Sequence, residues 1–278
     1  MAFSAEISRT NPTCLLFLVD QSKSMAGPFG GEQGKNKAEG VADAINRLLQ
    51  NLVLKCAKAD GVRDYFHVGV IGYGTEVRPS LAGTSNDQPL VPISAVANAP
   101  LRLEQRKRMV DDGAGGLVEQ SFRFPVWFEP TSGGKTVMNG AIKMARVILS
   151  DFISTYPGCF PPIVVNLTDG KPTDANPLDA AVDLKALKST DGNVLMFNAH
   201  LSSSPAPSVC FPGDEALLAD KYAKLLFRMS SILPPKLMSA ARDEGYPIVG
   251  PARGFVFNAD LVAVIRFLDI GTRVSPGR

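Results

Sequence analysis

Short, unbroken apolar runs separated by amphipathic stretches constrain this chain more than any other feature. Residues 14–19 read Cys-Leu-Leu-Phe-Leu-Val, and residues 67–73 read His-Val-Gly-Val-Ile-Gly-Tyr. Residues 163–168 (Ile-Val-Val-Asn-Leu-Thr), 194–199 (Val-Leu-Met-Phe-Asn-Ala) and 254–257 (Gly-Phe-Val-Phe) complete the set. A strand with one wet face alternates apolar and polar residues, whereas a strand covered on both faces does not. These runs therefore predict strands covered on both faces. Between them the periodicity becomes helical. Ala38, Val41, Ala42, Ile45, Leu48, Leu49, Leu52, Val53 and Cys56 recur at i, i+3, i+4 spacing over residues 37–58. Met138, Ala141, Ile142, Ala145, Ile148, Leu149 and Phe152 do the same. Further helices are predicted over 178–187, 215–232 and 235–244, with a last one starting at Asn258 as N-cap. Strands alternating with helices imply an α/β fold: a doubly wound, mostly parallel central sheet with helices on both faces.

In such a sheet a site forms beyond the carboxyl ends of the strands. Two predicted strands run straight into acids at that edge. The first leads into Asp20-Gln21-Ser22-Lys23-Ser24, and the run over 163–168 leads into Asp169-Gly170. A third segment, Ser132-Gly133-Gly134-Lys135-Thr136, opens the helical pattern that starts near Met138. An acid and two hydroxyls at alternate positions aim three hard oxygens at one point, which suits Mg²⁺, Mn²⁺ or Ca²⁺ rather than Zn²⁺. Capping and turn formation would explain Asp20 and Ser22 alone, but not Thr136 and Asp169. Gly133 and Gly134 either bring the backbone close to the site or mark a turn before the helix. Lys23, Lys135 and Lys171 flank the acids and are expected to point to solvent, where they would contribute to steering.

Together these residues resemble the von Willebrand factor type A domain and its metal-ion-dependent adhesion site. The family pattern is D-x-S-x-S, then a Thr after a glycine pair, then an Asp in a T-D-G turn. Asp20, Ser22, Ser24, Thr136 and Asp169 match it in order. The resemblance implies Ser22, Ser24 and Thr136 as direct ligands of Mg²⁺ (with Ca²⁺ or Mn²⁺ as substitutes), and Asp20 and Asp169 acting through water. So little direct negative charge leaves the ion seeking a carboxylate from outside. The implied partner is thus a protein supplying Glu or Asp. Three shorter segments resemble bacterial cytoplasmic members of the tellurite-resistance-associated type: 113–117 (Gly-Ala-Gly-Gly-Leu), 124–130 (Phe-Pro-Val-Trp-Phe-Glu-Pro) and 266–272 (Arg-Phe-Leu-Asp-Ile-Gly-Thr). Proteins of that type tend to be encoded beside a protein kinase and a protein phosphatase, which makes those enzymes candidate partners in a signalling or stress-response system.

The general resemblance covers nearly all of 1–278, read as a single domain. Residues 75–132 form an insertion within it. There Arg102, Glu104, Arg106 and Arg108 interleave with Leu101, Leu103, Gln105, Lys107 and Met109. After a Gly-rich stretch, Phe122, Phe124, Val126 and Phe128 alternate with Ser121, Arg123, Pro125 and Trp127. Two period-2 segments around such a turn predict a β-hairpin with its tip at 111–116 and with Phe122, Phe124 and Phe128 facing inward.

Other classes receive less support. The formal charge is +2, which gives no strong electrostatic case for nucleic acid or an acidic membrane. Basic and aromatic residues of the hairpin would serve an RNA-binding scaffold, but a solvated hairpin packed on the sheet edge explains them as well. Asp20 and Asp169 would suit a metal-dependent phosphohydrolase, yet D-x-S-x-S lacks the second acid of the D-x-D pattern. His67 and His200 read as structural histidines. The chain is therefore expected to be non-enzymatic. No run reads as a membrane span, and the N-terminus lacks a basic start and apolar core. Cys14, Cys56, Cys159 and Cys210 have neither metal nor redox spacing and read mainly as buried thiols, which points to the cytoplasm; a Cys159–Cys210 disulfide stays open, because both lie in Pro-rich loops.

Overall fold

In the computed structural model, which describes residues 3–30, 34–111, 113, 116–203, 206–216, 218 and 220–271, the apolar runs are strands of one sheet. In chain order the strands are β1 (Thr13–Asp20), β2 (Phe66–Tyr73), β3 (Val77–Pro79), β4 (Val91–Pro92), β5 (Arg102–Asp111), β6 (Leu117–Val126), β7 (Ile163–Thr168), β8 (Leu195–Leu201), β9 (Val209–Cys210) and β10 (Phe255–Ala259). Two small two-residue hairpins, at 57–62 and 188–193, stand apart. The helices are α1 (Lys37–Cys56), α2 (Ile93–Asn98), α3 (Met138–Thr155), α4 (Leu178–Ala186), α5 (Lys221–Met229), α6 (Pro235–Asp243) and α7 (Leu261–Gly271).

The sheet runs β9-β10-β8-β7-β1-β2-β3, with β4 also pairing β2. Its inner neighbours are all parallel, and β3, β4 and β9 add antiparallel edges. Every residue of β1 and β7 is buried, because both faces are covered. Leu15, Phe17 and Val19 pack with α1, α2, α6 and α7, while Cys14, Leu16 and Leu18 pack with α3, α4 and α5. The doubly wound α/β expectation holds. Burial at about 25 cal/mol per Å² of apolar surface makes these two layers the main stabilising term.

Three local readings need correction. The helix expected over 215–232 is α5 alone. Asp220 takes an extended backbone and accepts from the Tyr222 N–H over 3.1 Å, so capping starts the helix late. Ser231 then donates its N–H to the carbonyl of Met196 over 2.7 Å and leaves the helix path. Asn258 is not the cap of α7. It lies in β10 with φ 56°, and Asp260 caps instead, accepting from the Ala263 N–H over 2.8 Å. Trp127 is not on an outward face; it is buried, with its indole N–H donated to the carbonyl of Val96 over 2.6 Å. The alternation fails there because β6 has ended at Val126 and the chain turns onto α1.

The hairpin of β5 and β6 pairs without a break from Arg102↔Val126 to Asp111↔Leu117. Parts of its expected tip, at 112, 114 and 115, lie outside the described residues. Phe124 and Phe128 are buried, whereas Phe122 is only half-buried, edge-on to Phe124. The Arg106 guanidinium stacks 3.5 Å from the Phe124 ring centre and pairs with Asp43 of α1. Asn46, one turn further along α1, accepts from the N–H groups of Trp127 (2.8 Å) and Phe128 (3.0 Å) and donates to the Phe128 carbonyl (2.9 Å). The hairpin is therefore fastened at its base. All four cysteines are free thiols, three of them buried and Cys210 half-buried.

Candidate functional site

β1 is the point where the winding reverses. β2 lies on one side of it and β7 on the other, so the chain ends leaving β1 and β7 open a crevice between them. Asp20 is the last residue of β1, and Asp169 follows the last residue of β7.

Asp20 is fully buried. Its Oδ1 accepts from the Ser22 N–H over 2.8 Å, and its Oδ2 accepts from the Thr168 hydroxyl over 2.6 Å. Burial pushes its carboxyl up to about 6, against the pull of the Thr168 and Ser22 hydrogen bonds; the nearby Asp169 charge adds to the rise. Ser22 begins a short turn of 3-10 helix, which brings Ser24 back beside it. The two hydroxyls lie 3.0 Å apart, and Ser24 donates to Oδ1 of Asp169 over 2.6 Å.

Thr136 arrives on a different loop that is laced to this one. Gly133 donates its N–H to the Gln21 carbonyl over 2.6 Å, and Lys23 donates its own to the Gly134 carbonyl over 3.3 Å. Gly134 has φ +77°, and a Cβ there would lie 2.2 Å from the Thr75 hydroxyl. Glycine is thus required both for the turn and for the close approach. The Thr136 backbone is held by Thr173, through its hydroxyl at 3.0 Å and its N–H at 2.9 Å. One point gathers the cluster. A Cβ built on Gly170 would sit 3.6 Å from the Thr136 hydroxyl, 3.7 Å from that of Ser24 and 3.9 Å from Oδ2 of Asp20. All five residues singled out by spacing therefore come together at one end of the sheet.

Sequence reasoning misses two participants. Thr168 reads only as the end of a strand. Lys37 reads only as the start of α1, yet its ammonium lies 2.7 Å from Oδ2 of Asp169, with the two side chains 11% and 1% exposed. The available signal is position: Asn36 and Glu39 form a capping box that fixes the first turn of α1 at this edge. Lys23, Lys135 and Lys171 are exposed, as expected. The histidines are sheltered among rings, His67 against Phe152 and Tyr156 and His200 stacked on Phe257, and burial lowers the pKa of both.

A buried polar ladder crosses the sheet just behind the crevice. The Tyr73 hydroxyl donates to Oδ1 of Asn166 (2.7 Å), Asn166 to Oδ1 of Asn198 (2.9 Å), and Asn198 to the Ser230 hydroxyl (2.9 Å). Ser230 in turn donates to the Leu226 carbonyl over 2.8 Å. Asn166 precedes Thr168 by two residues on the same face of β7, so the ladder positions the strand end that holds Asp20.

Among the described residues no group of three or more His, Cys, Asp or Glu is placed to hold a metal ion. The cluster combines two carboxylates with three hydroxyls, a donor chemistry that suits a hard divalent cation.

No known family model matches the chain, and no curated protein matches it. Several solved structures share a likeness. The conserved hypothetical protein BatB from Bacteroides thetaiotaomicron is 13% identical, over 68% of this chain and 66% of that one, with a TM-score of 0.38. The pilus adhesin SpaC from Lactobacillus rhamnosus GG is 14% identical, over 97% of this chain and 32% of that one, with a TM-score of 0.46. The vWF domain of the type V pili tip protein Mfa5 from Porphyromonas gingivalis is 14% identical, over 59% of this chain and 39% of that one, with a TM-score of 0.30. The chain therefore spans less than two thirds of the length of each. Among the described residues no helix is long and apolar enough to cross a membrane.

Proposed function

We propose that this chain is a non-enzymatic, von Willebrand factor A-type protein-binding module that docks an acidic partner residue on a divalent ion. The observation that carries the reading is the convergence of Thr136, Ser24 and Asp20 oxygens around Gly170, with Ser22 and Asp169 hydrogen-bonded to the same group. Ser22, Ser24 and Thr136 would supply hydroxyls to Mg²⁺, while Asp20 and Asp169 would act through water and supply charge. The bound ion would contribute Lewis acidity toward an incoming Glu or Asp. Lys37 supports this assignment of roles: by partly neutralising Asp169 it leaves a cation here with a deficit of negative charge, which a partner carboxylate makes up. Exposed Lys23, Lys135 and Lys171 would raise the association rate with an acidic surface. A cytoplasmic bacterial signalling or stress-response setting, with a kinase or phosphatase as partner, is the context this reading favours. RNA is disfavoured, because Arg106 and Arg108 already lie over Phe124 and Phe122, and Lys107 and Arg102 are ion-paired to acids nearby.

The test is capture of interacting proteins from a bacterial lysate with and without chelator. EDTA should weaken the complex and Mg²⁺ should restore it. Replacing Ser22 and Ser24 together by Ala should weaken it as chelation does, without adding to chelation, since both remove the same contact. Equal capture in EDTA would overturn the reading and make the hairpin the leading candidate surface.

A further inference from the structure

The outer edge of β6 is unpaired among the described residues, since β5 and β6 form a sheet of only two strands. Pro125 fixes which backbone groups that edge presents. Proline has no N–H, so it sits within a continuous ladder only where its nitrogen faces away from the partner strand. The Val126 carbonyl, by contrast, faces β5 and accepts from the Leu101 N–H over 2.8 Å. Even-numbered residues of β6 therefore bond to β5. The N–H and C=O groups of Leu117, Glu119, Ser121 and Arg123 point outward, and all four residues are exposed.

That edge is complementary to itself. Antiparallel pairing of two copies about a two-fold axis through Ser121 sets outward groups against outward groups all along the strand. Glu119 then lies directly opposite Arg123 of the second copy, and Arg123 opposite its Glu119. Of the registers that keep outward groups facing each other, this one alone gives that match. An axis through 119 or 123 would oppose like charges, which is unfavourable. The other rim fails the same test, because β5 paired with itself about its centre sets Lys107 against Lys107. Arg123, meanwhile, has no acidic partner among the described residues, whereas Lys107 and Glu119 are paired at 2.7 Å. On the outward face, exposed Leu117 would meet Pro125 of the second copy, which its own Leu103 flanks.

We propose that this protein forms a symmetric dimer in which β6 pairs antiparallel with β6 of a second copy, centred on Ser121. The product is a four-stranded sheet, which adds pairing to the part of the hairpin that projects beyond its fastened base. The exposed row of edge donors and acceptors is satisfied at the same time.

Sedimentation of the intact chain over a concentration series tests this. The wild type should pass from monomer to dimer. Arg123→Glu and Glu119→Arg should each weaken dimerisation about tenfold or more, since two cross-strand pairs become repulsive. An equimolar mixture of the two variants should dimerise again, because every opposed pair in the mixed species is then of opposite sign. Ser121→Cys should close a disulfide across the axis on mild oxidation, as residues in a hydrogen-bonded pair lie about 5.5 Å apart at Cα. A wild type that stays monomeric overturns the proposal. So does a dimer indifferent to Arg123→Glu, a mixture that stays monomeric, or a Ser121→Cys variant that does not cross-link.

Discussion

Lys37 holds Asp169 from the side opposite Ser24: its ammonium is 2.7 Å from Oδ2, while the Ser24 hydroxyl is 2.6 Å from Oδ1. Both oxygens of the acid are thus engaged, one by a fixed charge and one by a hydroxyl that would face a cation. Replacing Lys37 by Gln should have two opposed effects. Without metal it should destabilise the fold by about 3 kcal/mol, the low end for breaking a buried pair, because Asp169 keeps an uncompensated charge. With Mg²⁺ present it should raise ion affinity roughly tenfold or more, since a nearby positive charge is gone. Calorimetric titration and chemical denaturation with and without Mg²⁺ read both effects. Weaker Mg²⁺ binding in Lys37→Gln would mean that Lys37 orients Asp169 for the ion and does not oppose it.

The burial of Asp20 should give the cluster a pH dependence whose sign can be worked out. Its carboxyl stands at about 6 in the fold, chiefly through burial, against about 3.9 when unfolded. The folded state holds the proton more tightly. The stability from this group is therefore complete below about pH 4 and is lost as pH rises through about 6. Two pH units correspond to about 2–3 kcal/mol. In EDTA, Asp20→Asn should remove that loss, so the difference between variant and wild type should grow in favour of the variant from pH 4 to pH 7. Mg²⁺ should no longer raise the melting temperature of Asp20→Asn. A stability difference that stays constant across this window would refute the role assigned to the Asp20 charge.

Most of this arrangement is legible in the chain for a simple reason. In a doubly wound sheet the strand ends of β1 and β7 share an edge, so a strand followed by an acid locates that acid in three dimensions. Periodicity therefore places Asp20 and Asp169, and the glycine pair before its helix places Thr136. Lys37 escapes this logic, because an ammonium's partner depends on where a long side chain reaches after folding. Asn46 is invisible for a related reason: on α1 it reads as a polar residue amid apolar ones, and only the return of 127–128 onto the helix gives it partners. Asn258 misleads because its capping chemistry is local, while the bend in β10 that holds it at positive φ comes from tertiary pairing.

Asn46 should be the residue on which the hairpin most depends. It satisfies two N–H groups and one carbonyl at 127–128. An unsatisfied buried group costs about 1–3 kcal/mol, and water cannot readily replace Asn46 at a site with only 3% exposure. Asn46→Leu should therefore cost about 3 kcal/mol or more. Hydrogen exchange should show lost protection in β5 and β6, with β1 and β7 unaffected below global unfolding. Uniform loss of protection across the sheet would show that the hairpin and sheet unfold as one unit.

The ladder behind the crevice should behave as one object. Tyr73→Phe removes the hydroxyl that donates to Asn166, leaving a buried acceptor unpaired at a cost of about 1–3 kcal/mol. Asn166→Leu breaks the bonds on both sides of it, to Tyr73 and to Asn198, and should cost more. Combining the two should cost less than the sum by about 1 kcal/mol or more, because the second change removes a group whose partner has already gone. The effect should also reach the cluster. Asn166 lies on the same face of β7 as Thr168, whose hydroxyl holds Oδ2 of Asp20 over 2.6 Å. Loosening that strand end should lower Mg²⁺ affinity in Asn166→Leu although Asn166 is not among the five cluster residues. Denaturation of the single and double variants gives the coupling, and titration with Mg²⁺ gives the transmission. Additive stability losses would show that Tyr73 and Asn166 act independently, and unchanged Mg²⁺ affinity would confine the ladder to a structural part.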